Sequence, residues 1–299
     1  MPVCFIGGMK TKLIRVAQRT AFAMTIVAAT PPAIAASPTV SATRAPEVRL
    51  YTLDCGTLAI DDMGMFSDTG EHAGEKGRLA VPCYLVKHGS DWLLWDTGLG
   101  DRLAALPDGE RKLGGHWTVR RTLSSQLAAL GLKPGDIRYV ALSHTHADHS
   151  GNIALFPRAT WLLSPTELAW ARGRPTPLGV DATLIAGLAK VRIEPVADDR
   201  DVFGDGTVRI LRAPGHTPGH KLLVVDLPRS GTVLLSGDLF HSRENYEKSL
   251  VPPVNVSRAD TLASFDRFAR LVRNTHARVV IQHAPEDFAA MPAFPKFLD

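Results

Sequence analysis

Between residues 143 and 152 the chain reads Ser143-His144-Thr145-His146-Ala147-Asp148-His149-Ser150-Gly151-Asn152. Four metal-ligating side chains fall within six residues there, and this density constrains the fold more than any other feature. Such groups are costly to bury without partners, so they call for a turn at the edge of a rigid scaffold, where they can converge. Alternate residues of an extended segment point the same way. His144 and His146 can therefore meet on one cation, while Asp148 and His149, beyond the bend, face another. Neutral imidazole and carboxylate donors suit two Zn2+ per chain, and Mn, Fe or Co are compatible with the same donor set.

The scaffold is legible as short β-rich runs at 48–53, 83–87, 92–95, 139–142, 160–163, 208–211, 222–226, 233–235 and 278–281. Helical periodicity appears at 119–130 and again at 262–272, through Phe265, Phe268, Ala269 and Leu271. Strand runs in both halves with helices near 119–130 and 260–273 predict an α/β fold with two mixed sheets face to face and helices outside. Four strand ends deliver the unusual residues: the turn at 143–152, Ala213-Pro214-Gly215-His216, Asp238 just past 233–236, and His283 just past 278–281.

The first 35 residues differ from the rest. Lys10, Lys12, Arg15 and Arg19 precede an apolar stretch at 21–29, and Ala33-Ile34-Ala35 offers small residues for cleavage, the pattern of a secretory signal peptide. The apolar run is too short for a spanning helix and is followed by Pro31-Pro32, so no stable membrane anchor is expected. The reading is a signal peptide at 1–35, a flexible linker at 36–46 and one folded domain at 47–299, in a periplasmic or secreted protein. Residues 1–35 hold four of the 34 Lys and Arg and none of the 30 Asp and Glu. The remainder is formally neutral, which removes the argument for a nucleic-acid or anionic-membrane partner. Cys55 and Cys83 remain; each sits in an apolar strand-like run, where an unpaired buried thiol is expected, although an oxidising compartment permits pairing.

The His144-x-His146-x-Asp148-His149 run, His216 in Pro214-Gly215-His216-Thr217-Pro218-Gly219-His220, Asp238 in Ser236-Gly237-Asp238, and His283 resemble, in order, the metal motifs of the metallo-β-lactamase superfamily, over roughly residues 47 to 299. The resemblance implies an αββα sandwich, with His144, His146 and His216 on a first metal. It places Asp148, His149 and His283 on a second, with Asp238 bridging them. It also implies that Asp96 in Trp95-Asp96-Thr97-Gly98 lies beneath the metals and receives the second ring N–H of a ligand histidine. His220 reads as a hydrogen-bonding residue rather than a ligand.

Val81-Pro82-Cys83-Tyr84-Leu85-Val86, Leu94-Trp95-Asp96-Thr97-Gly98, the stretch from Asp238 through His241 to Tyr246, and Phe294-Pro295-Lys296-Phe297 are similar to the N-acyl homoserine lactonase branch. That similarity implies hydrolytic opening of a homoserine lactone ring by hydroxide shared between the metals, with Asp148 passing a proton to the leaving alkoxide. The reaction would quench a quorum-sensing signal. Two departures stand out. His241 occupies the position where many members carry tyrosine, and an imidazole there can still donate a hydrogen bond to the substrate carbonyl. Gln282-His283-Ala284 replaces the usual Gly-His-Asp. Met63, Met65, Phe66 and Trp117 are the candidates to line an apolar groove for an acyl chain. The alternatives are a β-lactamase, against which Asp238 argues because those enzymes generally carry Cys or Ser there, and a glyoxalase-II-like thioesterase or esterase. A non-catalytic binding protein would be expected to have lost part of the ligand set. Oligomeric state is open.

Overall fold

The computed structural model describes residues 46–299 together with Ala21 and Ala23. The expected leader at 1–35 and the linker at 36–46 otherwise lie outside the described residues. The strands of the first half are β1 (Val48–Ile60), β2 (Gly77–His88), β3 (Asp91–Trp95), β4 (Glu110–Lys112), β5 (Gly115–Thr118), β6 (Tyr139–Ala141), β7 (Thr160–Leu163) and β8 (Arg192–Pro195). Those that follow are β9 (Arg200–Asp201), β10 (Val208–Arg212), β11 (Lys221–Leu227), β12 (Gly231–Leu235), β13 (Arg278–Val280) and β14 (Phe297–Leu298). Between them run the helices α1 (Leu123–Ala129), α2 (Ala147–Ser150), α3 (Pro165–Ala171), α4 (Ala182–Gly187), α5 (Arg243–Lys248), α6 (Arg258–Thr275) and α7 (Pro285–Ala290). One mixed sheet has the order β4-β5-β1-β2-β3-β6-β7-β8, with β14 also on β1; the second is β13-β12-β11-β10-β9.

The central strands read as unbroken apolar runs because both faces are covered. Successive side chains alternate between layers. Leu93 and Trp95 of β3, Leu162 of β7, Leu223 and Val225 of β11, and Val233 and Leu235 of β12 meet in one cluster between the sheets. Their neighbours point outward: Leu94, Trp161 and Leu163 pack with Leu123 and Leu127 of α1, Leu168 of α3 and Ile185 of α4. Leu222, Val224 and Leu234 pack with Phe265 and Phe268 of α6. The result is an αββα sandwich, and each fully buried Leu or Phe in it contributes about 1.5–3 kcal/mol.

Cys55 and Cys83 form a disulfide, with Cα atoms 5.8 Å apart, which corrects the expectation of free thiols. Leu53 stands opposite Cys83 in the β1–β2 ladder, and the register slips between Asp54 and Thr57. Cys55 is thereby the diagonal neighbour of Cys83 on the same buried face, a relation that reading the two runs separately does not reveal. Among the described residues no helix is long and apolar enough to cross a membrane.

Candidate metal centre

Parallel pairing brings the functional residues to one sheet edge. Leu235 of β12 is in register with Val280 of β13, and Asp238 and His283 each follow three residues later. Trp95 of β3 is in register with Ala141 of β6, so Asp96 emerges beside Ser143 and His144. His216 comes from the loop joining β10 to β11. That loop is gripped from α6 and the two residues that precede it: the Ser264 hydroxyl donates to the Pro214 carbonyl (2.6 Å), and the Ser257 and Val256 amides donate to the carbonyls of Gly215 (3.0 Å) and His216 (3.2 Å). Gly151, at the end of the histidine turn, donates to the Gly98 carbonyl, and a Cβ there would stand 2.2 Å from the Leu99 carbonyl carbon.

The seven predicted ligands meet in two groups that share Asp238. His144, His146, His216 and Asp238 form the first; Asp148, His149, Asp238 and His283 form the second; within each, the donor atoms all lie within 4.8 Å of one another. Four of the five imidazoles are anchored on one nitrogen and turn the other inward. His149 Nδ1 donates to Asp96 (2.9 Å), His283 Nδ1 to the Ala80 carbonyl (2.7 Å), and His216 Nδ1 to Asn255 Oδ1 (2.8 Å). His144 Nδ1 pairs with the Ser143 hydroxyl (3.0 Å), which itself donates to Asp96. The inward nitrogens then face one another, His149 Nε2 against His283 Nε2 at 3.2 Å and His216 Nε2 against His146 Nδ1 at 3.1 Å. His144 Nε2 is buried with no hydrogen-bond partner. A buried imidazole nitrogen left without a partner amid facing imidazoles and carboxylates fits divalent cations, and the N/O donor set fits zinc.

Electrostatics divide the two groups. Burial keeps His144 and His216 well below the ordinary imidazole value and brings His146 to about 4, so the three histidines of the first group are neutral and free to ligate. In the second, burial opposes charge on His149, but Asp238, Asp148 and Asp96 outweigh it and hold its pKa well above the ordinary value. Burial pushes Asp238 up, and His149 and His283 outweigh it and hold its carboxyl well below the carboxylate range. This group draws positive charge into itself.

Asp96 is fully buried beside both groups. Its backbone is left-handed (φ 59°), and it accepts from the Ser143 amide (2.7 Å), His149 and the Gln282 side chain (2.6 Å). Gln282, a departure from the usual pattern, thus supplies a donor to the carboxylate beneath the site. His220 stays outside both groups: Nδ1 donates to the Ala213 carbonyl (3.0 Å) and Nε2 accepts from the Asp238 amide (2.9 Å).

Above the ligands opens a cavity of about 360 Å³. Met65, Phe66, Trp117 and His241 line it, and His241 stacks on Phe66 at 4.6 Å between ring centroids. Met63 does not reach it; its thioether lies against Gly77, because a short 3-10 turn over Met63–Phe66 turns it away. Leu58, Ile60 and Leu79 were missed as lining residues, since β1 and β2 run well past the segments read as strands. Trp170 was missed because α3 is only seven residues long. Of the five large apolar side chains that stand exposed among the described residues, Leu113, Leu178 and Val256 rim this cavity.

A family model for the metallo-beta-lactamase superfamily matches residues 77–283. The N-acyl homoserine lactonase AttM of Azorhizobium caulinodans is 30% identical over 273 residues, covering 85% of this chain and 99% of its own. AttM of Agrobacterium fabrum is 31% identical over 271 residues, covering 84% and 98%. Among solved structures, an N-acyl homoserine lactone hydrolase with its product N-hexanoyl-L-homoserine bound at the catalytic metal center superposes with a TM-score of 0.74 at 25% identity, covering 85% of this chain and 99% of that one.

Proposed function

The chain belongs to the metallo-beta-lactamase superfamily, and from that premise we propose that it is a dizinc N-acyl homoserine lactonase that opens the lactone ring of quorum-sensing signals. The observation that carries this reading is the pair of ligand groups sharing Asp238 at the floor of an apolar cavity, as a polar ring with an acyl tail requires. Curated lactonases that match nearly end to end support the choice of substrate. When bound, two zinc ions supply Lewis acidity and a source of hydroxide at neutral pH.

His144, His146 and His216 would hold one ion, Asp148, His149 and His283 the other, and Asp238 both. Asp148 lines the cavity; burial pushes its carboxyl up, but His149 and His283 outweigh this and keep it ionised. An ionised carboxylate there accepts a proton and can pass it to the leaving alkoxide. His241 is buried beside Asp238, with Nε2 3.4 Å from Oδ2 and no partner on Nδ1, and it is the donor for the substrate carbonyl. Met65, Phe66 and Trp117 hold the acyl tail and exclude water. The basic and apolar pattern within residues 1–35 supports export, so we place the enzyme in the periplasm or outside the cell.

The test is zinc content after purification, followed by parallel assays on butanoyl to dodecanoyl homoserine lactones, nitrocefin and a glutathione thioester. Two zinc ions per chain with chelator-sensitive lactone hydrolysis is the expected result. No lactone turnover beside rapid cleavage of either other substrate overturns the assignment.

A further inference from the structure

The loops that carry the first ligand group are joined by a carboxylate that touches none of its ligands. Glu167 on α3 is only 3% exposed. Its Oε1 accepts from the Thr145 amide (2.9 Å) and the Thr145 hydroxyl (2.8 Å), on the residue between His144 and His146. Its Oε2 accepts from the Gly219 amide (2.9 Å), three residues beyond His216. Glycine is required at that contact, because a Cβ at 219 would stand 2.5 Å from the Glu167 nitrogen and 2.6 Å from its Cβ. Glu167 is itself fixed at the start of α3, where its amide donates to the Ser164 hydroxyl (3.3 Å). An ionisable side chain buried this deeply survives only against a specific set of partners, and here the partners are two loops otherwise separated by about seventy residues of chain. Asp96 is the counterpart beneath the second group, through His149 and through Gln282, the neighbour of His283.

We propose that Glu167 is the positioning residue of the first metal seat: by holding the Thr145 and Gly219 amides it sets the separation between the His144 and His146 pair and His216. The proposal rests on the reading of these three histidines with Asp238 as a metal seat. Replacing Glu167 by glutamine keeps the volume but turns an amide NH2 toward a partner set that donates two N–H groups and one hydroxyl.

Zinc-loaded wild type and Glu167→Gln are titrated with a chromogenic chelator, and the ions retained are counted at each step. One ion is expected to be held on the order of 10- to 100-fold more weakly in the variant, with the other within about twofold of wild type. In the His283→Ala background, which breaks the second group, the remaining ion is the one that Glu167→Gln loosens. Melting of the metal-free proteins separates positioning from scaffolding. A residue that merely supports the fold lowers metal-free stability and weakens both ions alike, and that result, or unchanged affinity for both, overturns the proposal. Should Glu167→Gln not accumulate as folded protein, Thr145→Val removes one donor and leaves the backbone amide. It is expected to show the same one-sided loosening in smaller measure, and any other pattern overturns the proposal. A wild type that retains no zinc overturns instead the metal reading beneath it.

Discussion

His241 is the residue on which chemistry and sequence departure meet. It is buried against Phe66 and Asp238 with one ring nitrogen unpartnered. Removing the donor by His241→Phe is expected to lower kcat on lactone substrates by about 10²-fold with zinc content unchanged, whereas His241→Tyr retains most of the rate. Equal kcat in all three proteins would show that the ring nitrogens contribute nothing. His220 makes a separate prediction. Burial is the largest cause of its pKa falling from the ordinary 6.5 to about 4. As pH drops below 6.5 the unfolded chain takes up a proton that the folded state refuses until about 4, so the stability tied to this ring is present above 6.5 and is lost toward 4. In denaturant unfolding of metal-free protein, the wild type's advantage over His220→Gln should narrow across that interval; a constant gap would contradict it. At this scale the seven residues that converge in the two groups were legible, since four sit in one short run and the others follow Pro-Gly or strand ends. Glu167 and Asn255 were not, because a carboxylate or amide carries no local signature and their partners lie dozens of residues away.

Among the elements, α6 shows why periodicity places a helix better than it bounds one. The apolar pattern began at Leu262, yet the helix starts at Arg258, where the Ser257 hydroxyl accepts from the Asp260 amide (3.2 Å). Its buried face runs through Thr261, Ser264, Phe265 and Phe268, while Leu262 is exposed. Two of those buried residues are polar because Thr261 and Ser264 face the His216 loop, and Ser264 bonds its backbone, a use that hydrophobic patterning cannot anticipate. Strands β1 and β2 were read short for a related reason, since the bulge near Gly56 and Pro82 interrupt their alternation. The packing of the histidine turn on the Gly98–Gly100 backbone is a sharp constraint. Gly151→Ala should destabilise the protein by about 1–3 kcal/mol in urea unfolding and reduce the zinc retained after dialysis. Wild-type behaviour in both would mean that the backbone yields more easily than the contact implies.

For the molecule as a whole, the two-layer arrangement was foreseeable from strand and helix order, whereas the covalent tie between β1 and β2 was not. Replacing both Cys55 and Cys83 by serine is expected to cost about 2–4 kcal/mol of unfolding free energy, read from denaturant midpoints against the oxidised wild type; no change would show that the tie adds nothing to the sandwich.

The apolar lip formed by Leu113, Leu178 and Val256 has a kinetic corollary. Its apolar side chains offer no hydrogen bond to a reacting carbonyl, so a hydrocarbon chain resting on it is held equally before and after bond cleavage. Grip of that kind tightens capture without hastening turnover. Lengthening the chain should therefore lower KM progressively while kcat stays flat, until departure of the spent molecule becomes the slow event.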